Sequence, residues 1–440
     1  MKWVRELITD TIKSGNMRDA FYVCNVDDLF QKHVNWTSKM VNISPFYAVK
    51  CNTCPLVLET LASLGIGFDC ASKTEIESII NLGVDPNRII YANPCKSLDY
   101  IEYSKKVGVK KMTFDNEEEL LKIKEIFPEA ELVLRIKVDD SESKYQLGSK
   151  FGTRLDRIEE LLVIAKSLSL NVIGVSFHVG SGCGSANPYK SALRDARMVF
   201  DLGKEYGFKM SLLDIGGGFP GGSDPKEKAL FDDIAQVVQE NLQINFPSSS
   251  FPNVRVIAEP GRYYVHSAFT LTMNILSKRV EYTDKEMNDK VMMYYMNDGV
   301  YGSFSNLTFE EGEVIPIPEI NDKDITTRKV YPSIIWGPTC DSLDCIQKKI
   351  FLPEMNTGEW MTFTDMGAYT LTCGTNFNGF SLPVVKVHAS PETILWFKGV
   401  PKTWQRLSTV FGITDEDVNK KCKRSLMYKI WEYIHIHQDR

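Results

Sequence analysis

Six groups of polar or glycine residues that could carry chemistry follow short apolar runs in this sequence of 440 residues. In chain order they are Lys50, Asp69, Arg135, His178 with Ser181, Gly216–Gly218, and Glu259 with Arg262. A lysine that is desolvated among carboxylates and an arginine can bond an aldehyde as a Schiff base. Three consecutive glycines let backbone N–H groups approach a phosphate closely, and Ser181 and Arg262 offer further donors. The set therefore indicates a site for an aldehyde and a phosphate.

The remaining groups fit an aromatic nitrogen ring. A carboxylate such as Glu259 could keep a pyridine nitrogen protonated, so that the ring withdraws electrons. His178 could stack on that ring, and Asp69 and Arg135 could form a charge pair that orients the lysine. The glycine run alone is weak evidence, because G-x-G-x-x-G is absent and no dinucleotide is implied. Each group also has an ordinary explanation as a solvated lysine, a loop or a structural ion pair.

Eight apolar runs, which alternate with amphipathic segments of helical period, are predicted to position these residues. The predicted strands are residues 45–52, 67–72, 88–93, 111–115, 132–137, 173–182, 212–218 and 254–262. Continuous apolar strands that alternate with helices indicate a parallel sheet buried on both faces. Eight such units match the length of a (β/α)8 barrel, in which the carboxyl ends of the strands share one rim. A doubly wound open sheet is the alternative.

The sequence changes character after residue 263. The segments AFTLTMNIL, VMMYYMND, YPSIIWG and EWMTFTDMG are β-rich, and RSLMYKIWEYIHIH predicts a terminal helix. We therefore predict an N-terminal segment (1–40) that packs with the β-domain, a barrel (41–263) and a β-rich domain (264–440). Residues 283–290 and 318–329 are predicted to be exposed loops.

Composition excludes several classes of function. A net charge of −6 provides no basic field for nucleic acid or an anionic membrane. The N-terminus lacks the apolar core of a signal peptide, and no apolar run approaches the roughly 20 residues of a membrane span. Ten cysteines are scattered, and the pair Cys51 and Cys54 lacks further ligands at zinc spacing. We expect a cytoplasmic protein with reduced thiols and no metal site.

Eight motifs give the sequence a specific resemblance. PFYAVKCN, GFDCASK, GVSFHVGSGC, LDIGGGFPG, EPGRYYV, NDGVYGSF, WGPTCDSLD and DMGAYT resemble, in order and spacing, those of the eukaryotic ornithine decarboxylase family. The resemblance runs from about residue 20 to residue 400. Single motifs recur in diaminopimelate decarboxylases and alanine racemases, but Cys-Asp in TCDSLD is typical of the ornithine enzymes. This pair also disfavours a racemase.

The resemblance implies pyridoxal 5′-phosphate as cofactor, bound covalently by Lys50. It implies that His178 stacks on the ring and that Glu259 binds its nitrogen. The remaining cofactor contacts that it implies are Asp69, Arg135, Ser181, Gly216, Gly217, Gly218, Gly261, Arg262 and Tyr369. It also implies a homodimer with shared sites, to which the partner subunit contributes Cys340 as a proton donor. The substrate-binding residues that it implies are Tyr301, Phe309, Glu310 and Asp341.

The substrate segment departs from the family. Ornithine enzymes usually carry Tyr-Asp where this chain has Phe309 and Glu310. Moving a carboxylate by ~1.5 Å at a site that must match an ammonium can cost a few kcal/mol of selectivity. The substrate could be ornithine bound less well, a longer basic amino acid such as lysine or arginine, or a neutral one such as leucine.

A second departure concerns regulation. Antizyme inhibitors, the non-catalytic members of the family, often carry Glu at the altered position, but they lose other site residues that this chain keeps. The segment that resembles the antizyme-binding element, residues 96–132, has glutamates where the ornithine enzymes are commonly basic: Glu102, Glu125, Glu129 and Glu131. We therefore predict weak or no antizyme binding, despite retained contacts such as Lys96 and Lys122. The alternative function is that of a catalytically dead regulatory paralogue.

Overall fold

The structure is a computed structural model that describes residues 2–282, 290–308, 314–320, 322–400 and 403–405. Phe309, Glu310 and the predicted terminal helix at residues 424–437 lie outside the described residues. The contacts divide the chain into two compact units, one of residues 30–264 and one of residues 1–29 with 265–440.

Strands and helices of the described residues are numbered here in chain order. The strands are β1 Phe21–Asn25, β2 Ile43–Ala48, β3 Gly67–Cys70, β4 Ile89–Tyr91, β5 Lys111–Phe114, β6 Glu131–Arg135, β7 Ser143–Tyr145, β8 Asn171–Ser176, β9 Ser181–Cys183, β10 Leu212–Asp214, β11 Arg255–Ala258, β12 Phe269–Tyr282, β13 Lys290–Met296, β14 Ile317–Pro318, β15 Val330–Trp336, β16 Cys345–Pro353, β17 Trp360–Phe363 and β18 Val384–His388. The helices are α1 Lys2–Lys13, α2 Val26–Lys39, α3 Pro55–Ser63, α4 Lys73–Asn81, α5 Leu98–Val107, α6 Glu117–Ile126, α7 Ile158–Ser167, α8 Asn187–Glu205, α9 Pro225–Asn245, α10 Arg262–Val265, α11 Asp322–Ile325 and α12 Pro391–Lys398.

The unit of residues 30–264 is a closed parallel barrel. Its eight strands follow in the order β2, β3, β4, β5, β6, β8, β10 and β11, and β11 closes the ring by pairing with β2. The core includes a cluster of buried side chains from five of the strands: Phe46, Ile90, Val133, Leu212 and Ile257. The predicted (β/α)8 barrel is therefore confirmed, and closure excludes the open sheet. Parallel strands place all their carboxyl ends at one mouth.

Helix starts on the outside of this barrel are fixed by polar caps. Ser72 and Asn116 accept backbone N–H groups of the first turns of α4 and α6. Asp224 caps α9, whose first residue is Pro225. A side-chain acceptor at this position satisfies N–H groups that a helix leaves unpaired, and proline is tolerated at the first helical position. These caps end the loops that follow the strands.

The unit of residues 1–29 and 265–440 is built on an eight-stranded sheet. Its main path runs β14, β17, β12, β13, β15 and β16. The N-terminal strand β1 pairs antiparallel with β12 and parallel with β18. Its residues Phe21 and Val23 pack with Ile8 and Trp360 in one buried cluster. The predicted β-domain joined by the N-terminal segment is confirmed.

The prediction of an exposed loop over residues 318–329 is wrong in part. Ile317 and Pro318 form β14, because they pair with Thr362 and Met361 of β17. Helix α11 follows within the same segment. Among the helices that the structure describes, none is both long and apolar enough to cross a membrane.

Candidate active site

Lys50 lies on a short 3-10 turn that directly follows β2 at the barrel mouth. Its Nζ donates to Oδ2 of Asp69 at 2.5 Å. The parallel register of Ala48 with Asp69 brings the two residues together. The Asp69 side chain is 1% exposed, whereas that of Lys50 is 45% exposed. Lys50 therefore presents its amine to the mouth while its counter-ion is buried.

The predicted pair of Asp69 with Arg135 is wrong. Asp69 pairs with Lys50, and its other oxygen, Oδ1, is buried without a hydrogen-bond partner among the described residues. Arg135 ends β6 and lies over the ring of Phe151, with 5.1 Å between the guanidinium carbon and the ring centroid. The register of β2 and β3 decides the pairing, and sequence spacing does not report that register.

Two adjacent carboxyl groups form an acidic pair at the end of β10 and just after β11. The N–H of Glu259 donates to the Gly216 carbonyl at 2.6 Å, and the N–H of Gly216 donates to Oδ1 of Asp214 at 2.9 Å. Burial raises the pKa of Asp214 to about 7. Burial raises the pKa of Glu259 well above its usual range, and Asp214 and Asp69 raise it further. At neutral pH the pair therefore holds a proton.

Sequence reasoning did not single out Asp214. It is the acidic residue of an otherwise apolar run, LLDIGGG, and it stands two positions before the first glycine. A charged residue at the carboxyl end of a buried barrel strand was the available signal.

His178 lies two residues beyond β8. Its Nδ1 accepts the N–H of Gly180 at 3.0 Å, so this nitrogen carries no proton. Burial lowers the pKa of His178 well below its usual range, and the charges of Arg135 and Lys50 lower it further. The imidazole is therefore neutral, with its proton on Nε2. A Cβ at Gly217 would lie 2.7 Å from that Nε2 and 2.8 Å from the Glu259 carbonyl, so glycine is required between them.

The glycine run itself forms a cradle of backbone. Gly216 and Gly218 have φ of 64° and 102°, in the left-handed region that favours glycine. A Cβ at Gly218 would lie 2.8 Å from the Gly180 carbonyl, which places the run against the loop that leads to Ser181. Arg262 begins α10, and a Cβ at Gly261 would lie 3.0 Å from the Cβ of Cys51. N–H groups, a hydroxyl and a guanidinium are the donors that a phosphate requires.

These residues fit pyridoxal phosphate. The lysine amine faces the mouth, as an aldehyde partner must. The proton-holding acidic pair and the orphaned Oδ1 of Asp69 suit a protonated ring nitrogen, because a cation relieves the repulsion of buried carboxylates. Glycine at positions 216–218 allows the run to pack closely against His178, Gly180 and Glu259, and backbone N–H groups of such a run can bind a phosphate. The barrel mouth thus brings together predicted site residues from several strand ends: Lys50, Asp69, His178, Gly216–Gly218 and Glu259.

The other unit brings together three further predicted residues. The Tyr301 hydroxyl donates to Oδ2 of Asp341, and the Leu343 N–H donates to Oδ1 at 2.9 Å. These hydrogen bonds lower the pKa of Asp341, which is therefore an anion. Cys340 next to it is exposed, and its N–H donates to Asn378 at 3.0 Å.

The loop that carries Cys340 is held in place by a buried carboxylate. Asp344 accepts the N–H groups of Val300 and Thr339 at 2.8 and 2.9 Å, which fastens WGPTCDSLD to NDGVYGSF. Tyr369 lies in the same unit and has φ of 58°. The structure therefore gives Tyr301, Cys340 and Asp341 one common framework.

Comparison with known proteins places the chain in a family. The family model of the pyridoxal-dependent decarboxylase pyridoxal binding domain matches residues 26–266. Ornithine decarboxylase of Rattus norvegicus is 49% identical over 379 residues, which cover 84% of this chain and 81% of that protein. Antizyme inhibitor 2 of Xenopus laevis is 50% identical over 380 residues, which cover 85% of this chain and 82% of that protein.

Solved structures agree with this assignment. Arginine decarboxylase of Paramecium bursaria Chlorella virus has a TM-score of 0.81 at 34% identity and covers 87% of this chain and 100% of its own. Lysine/ornithine decarboxylase of Vibrio vulnificus, complexed with cadaverine, has a TM-score of 0.77 at 28% identity and covers 88% of this chain and 98% of its own. As the motifs predict, the chain belongs to the ornithine decarboxylase family of pyridoxal-dependent decarboxylases.

Proposed function

We propose that the chain decarboxylates an L-amino acid, releasing CO2 and an amine, with pyridoxal phosphate bound at the barrel mouth. The observation that carries the proposal is the convergence of Lys50, its buried partner Asp69 and the acidic pair Asp214 and Glu259 in one mouth. When bound, pyridoxal phosphate supplies the electron sink that lets an α-carboxylate leave as CO2.

Each residue of the mouth has a definite task in this proposal. Lys50 would bond the cofactor aldehyde, and Asp69, 2.5 Å from its Nζ, holds the amine in position and could accept its proton. Glu259 would bind the ring nitrogen, and the nearby Asp214 would add negative charge that keeps this nitrogen protonated. The neutral imidazole of His178 would stack on the ring. Ser181, Gly218 and Arg262 would hold the phosphate.

The distal part of the substrate is proposed to meet two carboxylates, Asp341 and Glu310. The anionic state of Asp341 supports this assignment, because a fixed anion favours a cationic side chain. The Tyr301 hydroxyl orients that carboxylate. We therefore infer that the substrate is a basic L-amino acid, with the longer Glu310 and the apolar Phe309 shifting the preference among basic substrates.

The active site is proposed to be completed across a homodimer. Cys340 and Asp341 are supplied to the partner's barrel, and the Cys340 thiol delivers the proton that replaces the departed carboxyl group. The exposure of the Cys340 thiol in a loop fixed by Asp344 supports this role. A thiol presented on a rigid loop can meet a second subunit without rearrangement.

The test is to measure CO2 and amine release by the purified protein with a panel of ornithine, lysine, arginine and leucine. The proposal expects turnover of at least one basic amino acid that is abolished by Lys50→Ala. Lys105→Ala, which removes an exposed lysine whose Nζ donates to the Ile126 carbonyl, is the matched control and should leave the rates unchanged. Turnover of leucine alone would contradict the proposed basic substrate. Absence of turnover with every amino acid of the panel would contradict the proposal that the chain is a decarboxylase.

A second candidate function is regulation as an antizyme-inhibitor-like paralogue. Its specific support is the 50% identity to antizyme inhibitor 2, which is no lower than the 49% identity to ornithine decarboxylase of Rattus norvegicus. The pair of Lys50 with Asp69 at the barrel mouth is what the decarboxylase proposal requires. The two candidates differ in whether the protein turns over any amino acid.

Antizyme binding is proposed to be weak. Among the glutamates of residues 96–132, Glu102, Glu125 and Glu129 are exposed and Glu131 is half-buried. The prediction that Lys96 is a retained surface contact is wrong. Its side chain is fully buried and pairs with Glu119 at 2.8 Å.

Reversal of the surface charge tests this point. Changing the four glutamates to lysine should turn repulsion into attraction and restore measurable antizyme affinity in a titration. Reversal of Glu205 and Glu240, which are exposed on other helices, is the control and should restore nothing. Tight binding of antizyme by the unmodified protein would contradict the proposal.

A further inference from the structure

A two-stranded ribbon lies beside the glycine cradle at the barrel mouth. It consists of β7 and β9, paired antiparallel, with Ser143 opposite Cys183 and Tyr145 opposite Ser181. Residues directly opposite each other in an antiparallel pair project from the same face. Residues two apart in a strand also share a face. Ser143, Tyr145, Ser181 and Cys183 therefore project from one face of this ribbon.

That face points into the protein. Ser143 is 7% exposed and Cys183 is 2% exposed, whereas Lys144, between the two inward residues of β7, is exposed. The Ser143 hydroxyl donates to the Val179 carbonyl at 2.6 Å, which fastens the ribbon inward. Tyr145 consequently projects on the same side as Ser181.

The Tyr145 hydroxyl is buried, and within the described part of the chain it has no hydrogen-bond partner. Tyrosine hydroxyls that are buried in proteins usually find a partner, so an orphaned one points to a group that binds there. Phenylalanine would fill the same space without this cost.

The ribbon is in close contact with the cradle. A Cβ at Gly180 would lie 2.7 Å from the Tyr145 carbonyl and 2.5 Å from the Ser143 Cβ. The Gly180 carbonyl in turn lies 2.8 Å from where a Cβ of Gly218 would be. The pair of Tyr145 and Ser181 thus borders the glycine run that is proposed to hold the phosphate.

We propose that the Tyr145 hydroxyl donates a hydrogen bond to the phosphate of the bound cofactor, beside Ser181. The inference rests on the proposed function, since it assumes that pyridoxal phosphate occupies the barrel mouth. A phosphate offers several charged acceptor oxygens, and a neutral hydroxyl can approach it without an added charge. Tyr145 is thereby a phosphate-positioning residue contributed by a polar ribbon outside the barrel strands.

Titrations with two ligands test the inference. Pyridoxal phosphate and pyridoxal, which lacks the phosphate, are titrated into cofactor-free wild-type protein, Tyr145→Phe and the control Tyr206→Phe. The Tyr206 hydroxyl bonds exposed Glu159, so its loss should change nothing. We expect Tyr145→Phe to weaken the binding of pyridoxal phosphate by roughly tenfold, because one hydrogen bond to a charged group is lost. The affinity for pyridoxal should not change.

A second measurement is independent of affinity. The phosphorus NMR resonance of bound pyridoxal phosphate should shift between wild type and Tyr145→Phe, and not in Tyr206→Phe. Equal weakening of both ligands, or no weakening of either, would overturn the inference. Failure of the wild type to bind pyridoxal phosphate would instead overturn the proposed function, so the two failures are distinguishable.

Discussion

The acidic pair predicts an unusual response of stability to pH, which Asp214→Asn should remove. In the folded protein burial raises the pKa of Asp214 from 3.8 to about 7. In the unfolded chain the pKa of this carboxyl group returns to its ordinary value. Between about pH 4 and about pH 7 the folded state therefore binds more protons than the unfolded state. Stability falls as the pH rises through this window, and the loss is complete above it.

The magnitude follows from the difference of about three pH units. One unit corresponds to about 1.4 kcal/mol, so ionised Asp214 costs the folded state up to about 4 kcal/mol. Water penetration and relaxation around a buried charge reduce this, so we expect about 2–4 kcal/mol. Asparagine cannot ionise, and its carbonyl can still accept the Gly216 N–H. The substitution should therefore stabilise the cofactor-free protein by about that amount at alkaline pH and by roughly a third of it at about pH 5, where only the lower part of the window has been crossed.

The assay is urea unfolding of cofactor-free protein at about pH 5 and about pH 8.5, which bracket most of the window. Asp233→Asn, which removes an exposed carboxylate on α9, is the matched control and should change the midpoint little at either pH. An equal effect of Asp214→Asn at the two pH values would refute the argument. Destabilisation at alkaline pH would refute it as well, because it would mean that the ionised pair is favourable.

Three further predictions concern the cofactor, the substrate and the dimer. Gly217→Ala should weaken the binding of pyridoxal phosphate by about tenfold or more, since the added Cβ would lie 2.7 Å from Nε2 of His178. An unchanged dissociation constant in a titration would contradict this. Phe309→Tyr with Glu310→Asp should raise the ornithine rate relative to other substrates by roughly tenfold, and an unaltered ranking in kcat/KM would place specificity elsewhere. Mixed dimers of Cys340→Ala and Lys50→Ala subunits should regain about a quarter of wild-type activity, because random pairing makes half of the dimers hybrids with one intact site; complete failure to complement would show that sites are not shared.

The barrel could be predicted from the sequence because its strands are apolar without interruption. Each of the eight predicted strands overlaps an observed strand of the ring. The sequence did not predict where the run 173–182 ends. Strand β8 stops at Ser176, and Gly180, with φ of 94°, separates it from β9. The partner strand β7 was missed because its sequence, Ser-Lys-Tyr, has no apolar run.

The charged residues of the site were predicted by type and not by pairing. Asp69 was expected to bind Arg135, but strand register gives it Lys50. Lys96 was expected at the surface, although Glu119 and the Thr113 carbonyl, at 2.8 and 2.6 Å, hold its ammonium inside the protein. Pairing and burial of charges depend on contacts between distant segments, which local patterns do not contain.

The proposed activity depends on covalent binding of pyridoxal phosphate by Lys50. The most direct measurement is the visible absorption spectrum after pyridoxal phosphate is added to cofactor-free protein and the excess is removed. We expect the absorption band of lysine-bound cofactor in the wild type, its loss in Lys50→Ala and its retention in Lys105→Ala. A wild-type spectrum without this band, or a band that survives in Lys50→Ala, would show that Lys50 does not bind the cofactor covalently.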